Sequence, residues 1–381
     1  MFFADDRLLG RVLTRLSRQL AVQVLPDGGH YERALAYHCQ VLADLIDIDG
    51  LVGALGGSAV PGLGSATGRM RGWLESVITP DGEVPLLNDG YPVGGAMLTA
   101  LRSPTLVPGP LLTLPDTRLI RATAGDWYLL ADVGAPCPEE LPAHAHADTL
   151  SCIVHVDGEP LLVDTGTSTY APGAARSYER STAAQNTVEV DGADSTEVWG
   201  AFRAACRPGS AAPRRRGPDG VTIEAAHDGF ARLGGQPIHR RRWSLADTGL
   251  RVDDLVTGSG RHAVAVRWHL APGSTVRPAA DVVSDIRPST TGVGHAGVIA
   301  STRDGSFDVA VTTPGGAFDV TITAPALATL TVETKPLATG FERRIDAPVL
   351  VCHTTDVLPI RISTAMRRAA AGRGATEGWI L

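Results

Sequence analysis

Apolar residues recur at helical spacing from Leu8 to Val24 (Leu8, Leu9, Val12, Leu13, Leu16, Leu20), and the pattern breaks at Leu25-Pro26-Asp27-Gly28-Gly29, a turn cluster. The same period predicts a second helix from Tyr31 to Ile48, through Leu35, Tyr37, Val41, Leu42, Leu45 and Ile46. It predicts a third from Gly64 to Ile78, through Met70, Trp73, Leu74 and Val77. A short helix over Gly94–Leu101 completes a row of helical hairpins in residues 1–102. Residues 103–117 are proline-rich and read as a connector. Beyond them the pattern changes to short β-rich runs between turn residues: Trp127–Val133, Leu150–Val156, Pro160–Asp164, Thr187–Val190, Val221–Ala225, Leu250–Leu255, Ala263–Leu270 and onward to Val349–Thr354. Residues 118–366 therefore read as one large all-β unit, a sandwich or barrel. Residues 367–381 are small and polar and read as a frayed tail.

A chain of 381 residues exceeds the usual reach of one core, and 44% hydrophobic residues can fill two. The net charge of −7 argues against nucleic acid as a partner. Lys335 is the only lysine, so the basic side chains are almost all arginine, which binds carboxylate and sulfate bidentately. Five scattered cysteines lack the spacing of a zinc knuckle or disulfide scaffold and read as mostly reduced, buried residues. The chain has no apolar run of about 18 residues, the length of a membrane span. Its start, Met1 to Asp6, carries acids where a secretion signal needs bases. If complete, the chain would stay in the cytoplasm.

Three polar clusters stand out. In His144-Ala145-His146-Ala147-Asp148 an extended backbone puts both histidines on one side, and with Asp164 they could ligate a zinc-type metal or simply be surface histidines. Arg176 to Thr187 is a dense polar stretch before a strand, as a site loop or a solvated loop would be. Asp27 to His38 places Arg33 and Tyr37 one helical turn apart, between His30 and His38, with core-packing aromatics as the alternative. A metal-dependent amidohydrolase also carries His-x-His, but alternating helices would have to follow it, and here strands follow.

Taken together and in order, these stretches resemble the heparinase II/III family of uronate-polysaccharide lyases. The resemblance rests on Leu25 to Arg33 with Tyr37-His38, on Pro85-Leu86-Leu87-Asn88-Asp89, on His144 to Asp148, on Leu162 to Thr167, on Arg180 to Thr187, and on Val190-Asp191-Gly192. It implies an α+β multidomain chain, an incomplete α/α toroid followed by a large antiparallel β-sandwich, with an acidic polysaccharide in the cleft between them. The reaction implied is β-elimination: a base removes the C5 proton beside the uronate carboxylate and the C4 oxygen leaves. By position Tyr37 would be the acid/base, His144 its partner and Tyr178 a further proton carrier. Arg33, Asn88 and Arg180 would bind substrate. A phenol serves as base only beside cations such as Arg33 or a histidine.

His146 and Asp164 would ligate one structural divalent metal, but the third position, a histidine in relatives, is Gln185 here. Relatives also carry an Asn-His pair that neutralises the uronate, and the matching region would lie before Met1. Arg33, Asn88 or Arg214-Arg215-Arg216 would have to replace it. Apolar helix faces left without neighbours would favour homo-oligomers. Relatives act in the cell envelope or periplasm. The competing expectation is a non-catalytic protein that retains the cleft and binds an acidic glycan.

Overall fold

The computed structural model describes residues 6–54, 59–103, 109–209, 214–216, 220–279, 297–301 and 305–370. Four helices come first: α1 (Asp6–Gln23), α2 (Leu35–Ala54), α3 (Leu63–Val77) and α4 (Gly95–Leu101). Among the described residues no helix is long and apolar enough to cross a membrane. Helix α2 begins four residues later than its apolar period suggests. The chain between α1 and α2 closes a bridge from Val24 to His30, and Arg33 N–H then donates to the His30 carbonyl at 3.0 Å. Arg33 takes φ 60°, a left-handed conformation that a right-handed helix cannot contain. Tyr37 therefore sits in the first turn of α2 while Arg33 lies outside the helix, so the expected one-turn spacing on a helix face does not exist.

The buried face of α2 (Leu35, Cys39, Leu42, Leu45) packs on Ala66, Met70, Trp73 and Leu74 of α3. His38 belongs to this core. Its Nδ1 accepts from the His30 N–H, its Nε2 faces the Met70 carbonyl, and burial pushes its pKa down to about 3. Gly28, at φ 96°, packs where a Cβ would lie 2.3 Å from the Arg69 carbonyl oxygen, which fixes a glycine at this turn.

The first sheet runs in chain order, all antiparallel: β1 (Leu111–Leu114), β2 (Leu119–Ala124), β3 (Trp127–Asp132), β4 (Cys152–Val156) and β5 (Glu159–Leu162). Strand β1 lies inside the stretch expected to be a connector. It pairs Leu111 with Ala122, so the boundary is part of the sheet; residues 104–108 lie outside the described residues. Alternation divides the sheet between two cores. Leu114, Leu119, Tyr128, Leu130 and Ile153 join the helical core, while Ile120, Trp127, Leu129 and Val154 face the rest of the sandwich.

An eight-stranded and a five-stranded antiparallel sheet complete the β-sandwich. The eight-stranded sheet has Gly249–Thr257 paired with both Ile238–Ala246 and Ile360–Arg368. The five-stranded sheet includes β6 (Val188–Val190), Arg261–His269 and the long hairpin Thr329–Gly340 with Arg343–Val357. The tail expected to fray from 367 stays paired through Arg368, opposite Phe318; residues 371–381 lie outside the described residues.

Candidate functional site

Four segments meet where the helices abut the sandwich. The loop from Thr79 to Pro92 brings Asn88 and Asp89, the β3–β4 loop brings His144 and His146, the chain after β5 brings Asp164 to Tyr170, and α5 (Ala174–Arg180) brings Arg176 to Arg180. Asn88 and Asp89 dock the first two segments. The Asn88 side chain donates to the Arg33 carbonyl at 3.2 Å and accepts from His146 N–H at 3.0 Å, and Asp89 N–H donates to the His144 carbonyl at 3.2 Å. Asn88 takes φ 57°, which asparagine tolerates better than most residues.

Asp89 is the hub. Fully buried, it meets His144 Nδ1 at 3.0 Å, His146 Nε2 at 2.9 Å, and both terminal nitrogens of Arg176, one at 2.8 Å. Burial would raise its pKa, but these partners together hold it well below the usual carboxylate range. His144 is bridged on its other side by Glu32, Nε2 to Oε2 at 3.1 Å. Burial alone would lower the His144 pKa, yet the two carboxylates overcome it and push it up to about 9. His146 has one carboxylate and no exposure, so burial wins and pushes it down to about 4. At neutral pH the site therefore holds one imidazolium and one neutral imidazole, two residues apart.

Tyr37 packs its ring on His144, with centroids 4.2 Å apart, and its hydroxyl lies 3.1 Å from that of Tyr170. Tyr91 packs edge-on at 6.3 Å. Tyr37 and His144, expected as a pair, are thus neighbours across the helix–sandwich boundary. Tyr178 is elsewhere: its hydroxyl faces buried His269 Nε2 at 3.4 Å, and burial raises its pKa. The second phenol beside Tyr37 is Tyr170, which follows Thr167-Ser168-Thr169 and carries no sequence signal of its own.

The expected substrate-binding trio has other partners. The Arg33 guanidinium donates to the carbonyls of Ala135 and Asp116. Asn88 is buried between two segments. Arg180 is buried and donates to the carbonyls of Ala145, Gly200 and Arg203 at 3.0, 3.3 and 3.1 Å. All three shape the site from behind. The Arg214–Arg216 side chains lie outside the described residues. Asp89, Glu32 and Arg176 were missed as single residues, although each sits inside a stretch that stands out in the sequence.

Among the described residues no set of three or more His, Cys, Asp or Glu is grouped to hold a metal. The three expected positions nonetheless share a property. His146 Nδ1, Asp164 Oδ2 and Gln185 Oε1 are each buried and lack a hydrogen-bond partner, while the remaining polar atom of each side chain has one. Orphaned acceptors of this kind are costly unless something fills them. Burial also pushes Asp164 up to about 7. Asp148, two residues beyond His146, has neither oxygen paired, and burial with nearby Asp132 and Asp164 raises its pKa.

Residues 9–105 match the family model described as Heparinase II/III N-terminus, and residues 107–346 match Heparinase II/III-like, C-terminal. FtsZ-localized protein C of Caulobacter vibrioides is 27% identical over 295 residues, covering 72% of this chain and 51% of that protein. A heparinase III superposes with TM-score 0.70 at 14% identity, covering 94% of this chain and 57% of its own. A mutant of heparan sulfate lyase HepC from Pedobacter heparinus gives TM-score 0.68 at 13% identity, covering 94% and 56%. The chain thus spans about half the length of these relatives. At such identities the structural likeness speaks for the fold, an α/α toroid segment on a β-sandwich. With the two family models covering both of its parts, the chain belongs to the heparinase II/III-like family.

Proposed function

We propose that the chain is a polysaccharide lyase that cleaves a uronic-acid-containing glycan by β-elimination at Tyr37 and His144. One observation carries the reading. A tyrosine hydroxyl, paired with a second phenol at 3.1 Å, stands against a histidine whose two carboxylate partners keep it charged at neutral pH. In this reading Tyr37 enters the step as a phenolate: its Oη takes the C5 proton and gives that proton to the C4 oxygen as the C4–O bond breaks, which regenerates the phenolate. Tyr170 Oη is its hydrogen-bond partner through both steps. The His144 imidazolium supplies the positive charge that the developing enolate needs, and Asp89, itself clamped by Arg176, holds the ring.

A structural divalent cation would be held by His146 Nδ1, Asp164 Oδ2 and Gln185 Oε1. Bound there, it would fix the β3–β4 loop against the chain after β5, and no step of the elimination needs it. Metal content of the purified protein and its thermal midpoint with and without a chelator report on this site independently of activity.

The purified protein is incubated with alginate, heparan sulfate, hyaluronan and glucuronate-rich exopolysaccharides while ultraviolet absorbance follows the unsaturated uronate product. The expected result is product with at least one polymer and a loss of about 100-fold or more in Tyr37→Phe. A second reading, glycan binding without cleavage, is favoured by the occupation of both His144 nitrogens by Asp89 and Glu32. Binding without product in the wild type would establish it.

A further inference from the structure

Two hairpin tips from distant parts of the chain converge on Tyr170, and both present an exposed phenylalanine. The first is the turn Trp199-Gly200-Ala201-Phe202 of the small two-stranded sheet, Glu197–Trp199 with Arg203–Ala205. The second is Gly340-Phe341-Glu342, the tip of the long hairpin. Phe202 and Phe341 are 44% and 59% exposed, with ring centroids 5.7 and 5.6 Å from that of Tyr170. Trp199, beside the first tip, is 48% exposed. Hairpin tips ordinarily carry glycine, asparagine, aspartate or serine, so an aromatic at each of two converging tips departs from what folding alone asks for.

Both tips are held in place. Arg176 donates from Nε and a terminal nitrogen to the Ala201 carbonyl at 3.0 and 2.8 Å, and Arg180 reaches the carbonyls of Gly200 and Arg203. Glu342 N–H donates to the Ser168 carbonyl at 2.7 Å and Ala338 N–H to that of Thr165 at 2.8 Å. The guanidinium that clamps Asp89 thus also sets the first tip, and it lies 5.2 and 5.6 Å from the Tyr170 and Phe202 ring centroids. The aromatic surface is open, its turns are hydrogen-bonded in place, and it lies one tyrosine ring away from the Tyr37 hydroxyl.

From this geometry we propose a stacking subsite, formed by Tyr170, Phe202 and Phe341, that binds the apolar face of a pyranose ring adjoining the uronate at Tyr37. It rests on the glycan reading above. Aromatic faces suit a ring whose C–H groups lie on one side, and their rigidity keeps the entropic cost of binding small. The subsite would explain why Arg180, expected at the substrate, instead shapes the turn that carries Phe202.

The test is calorimetric titration of Tyr37→Phe protein with heparan sulfate, alginate and hyaluronan oligosaccharides of increasing length, alone and combined with Phe202→Ala or Phe341→Ala. Each phenylalanine substitution is expected to weaken binding of disaccharides and longer oligosaccharides about three- to tenfold, leave a uronate monosaccharide unaffected, and keep the thermal midpoint. Binding lost in these variants, with no ultraviolet product from the wild type, would retain the subsite and remove the lyase reading. Product formed with an unchanged KM by Phe202→Ala and Phe341→Ala chains that keep Tyr37 would remove the subsite and retain the lyase. Oligosaccharides that fail to bind at all, with self-association abolished by Phe341→Ala, would overturn the subsite and assign the surface to a second copy of the chain.

Discussion

Asp89 bonds His144, His146 and Arg176, and this sharing decides which of the two histidines is charged. His144 has Glu32 as a second anion, and its pKa rises from 6.5 to about 9. A raised value means that the charged ring stabilises the fold fully below about pH 6.5 and that this contribution is lost as pH climbs through about 9. Under the proposed function the elimination rate should fall over the same upper limb, because the imidazolium disappears there. A histidine NMR titration checks the midpoint. In Glu32→Gln the midpoint should move down, and KM for an anionic glycan should fall about threefold, because a carboxylate no longer competes for His144 Nε2. A midpoint near 9 retained in Glu32→Gln would rule out the bridge as its cause. Gln185→His should strengthen divalent-metal binding, seen as a larger thermal shift on adding zinc, since imidazole is a better zinc ligand than an amide oxygen. That Tyr170, and not the expected Tyr178, stands beside Tyr37 shows where residue-level reading ends. Both tyrosines lie in or near polar loops, and only the path of the chain after β5 turns one towards Tyr37 and the other towards His269.

The helical segments and most strands were legible because their periods are strong: α1, α3 and α4 lie within one or two residues of their predicted bounds. Ile238–Ala246 was not legible. Its Arg240-Arg241-Arg242 run carries no apolar alternation, yet the strand places Arg240 and Arg242 outside and Arg241 in the core, fully buried. Arg241 pairs with Asp254 on the neighbouring strand at 2.7 and 3.0 Å and donates to the carbonyls of Leu150 and Asn186, while His239 shares the same carboxylate. Burial would raise the Asp254 pKa, but Arg241 and His239 lower it overall. No propensity scale anticipates an arginine facing inward, because its partners come from three separate segments. Arg241→Met should therefore cost about 3–5 kcal/mol in urea unfolding, since Asp254 is left buried without its main partner. Arg241→Met with Asp254→Leu should recover much of that loss. A double variant no more stable than the single one would show that packing, and not the unpaired charge, sets the cost.

Across the whole molecule, helices and sandwich share a core. Leu114, Leu119, Tyr128, Leu130 and Ile153 of the first sheet lie in the same apolar cluster as α2 and α3, and a polar clasp closes its edge. The Asp27 carboxylate accepts from the N–H groups of Asp116 and Thr117 and from the Thr117 hydroxyl, at 2.8 to 3.0 Å, and that hydroxyl also accepts from Trp73 Nε1 at 3.0 Å. The consequence for the site is direct, because Tyr37 comes from the helical side and His144 from the sandwich side, and their 4.2 Å contact exists only while the two stay docked. If the core is shared, the far-UV helical signal and tryptophan emission should melt in one coincident transition, with Trp73 reporting the helices and Trp127, Trp243 and Trp268 the sandwich. Asp27→Ala should lower that midpoint by an amount equivalent to about 2–3 kcal/mol while the two probes remain coincident. Under the proposed function the variant should lose elimination activity along that same transition, because the Tyr37–His144 contact goes when the shared core does. Helical signal lost well ahead of tryptophan emission in the wild type would mean two separate cores, and the clasp would then hold a boundary that opens by itself.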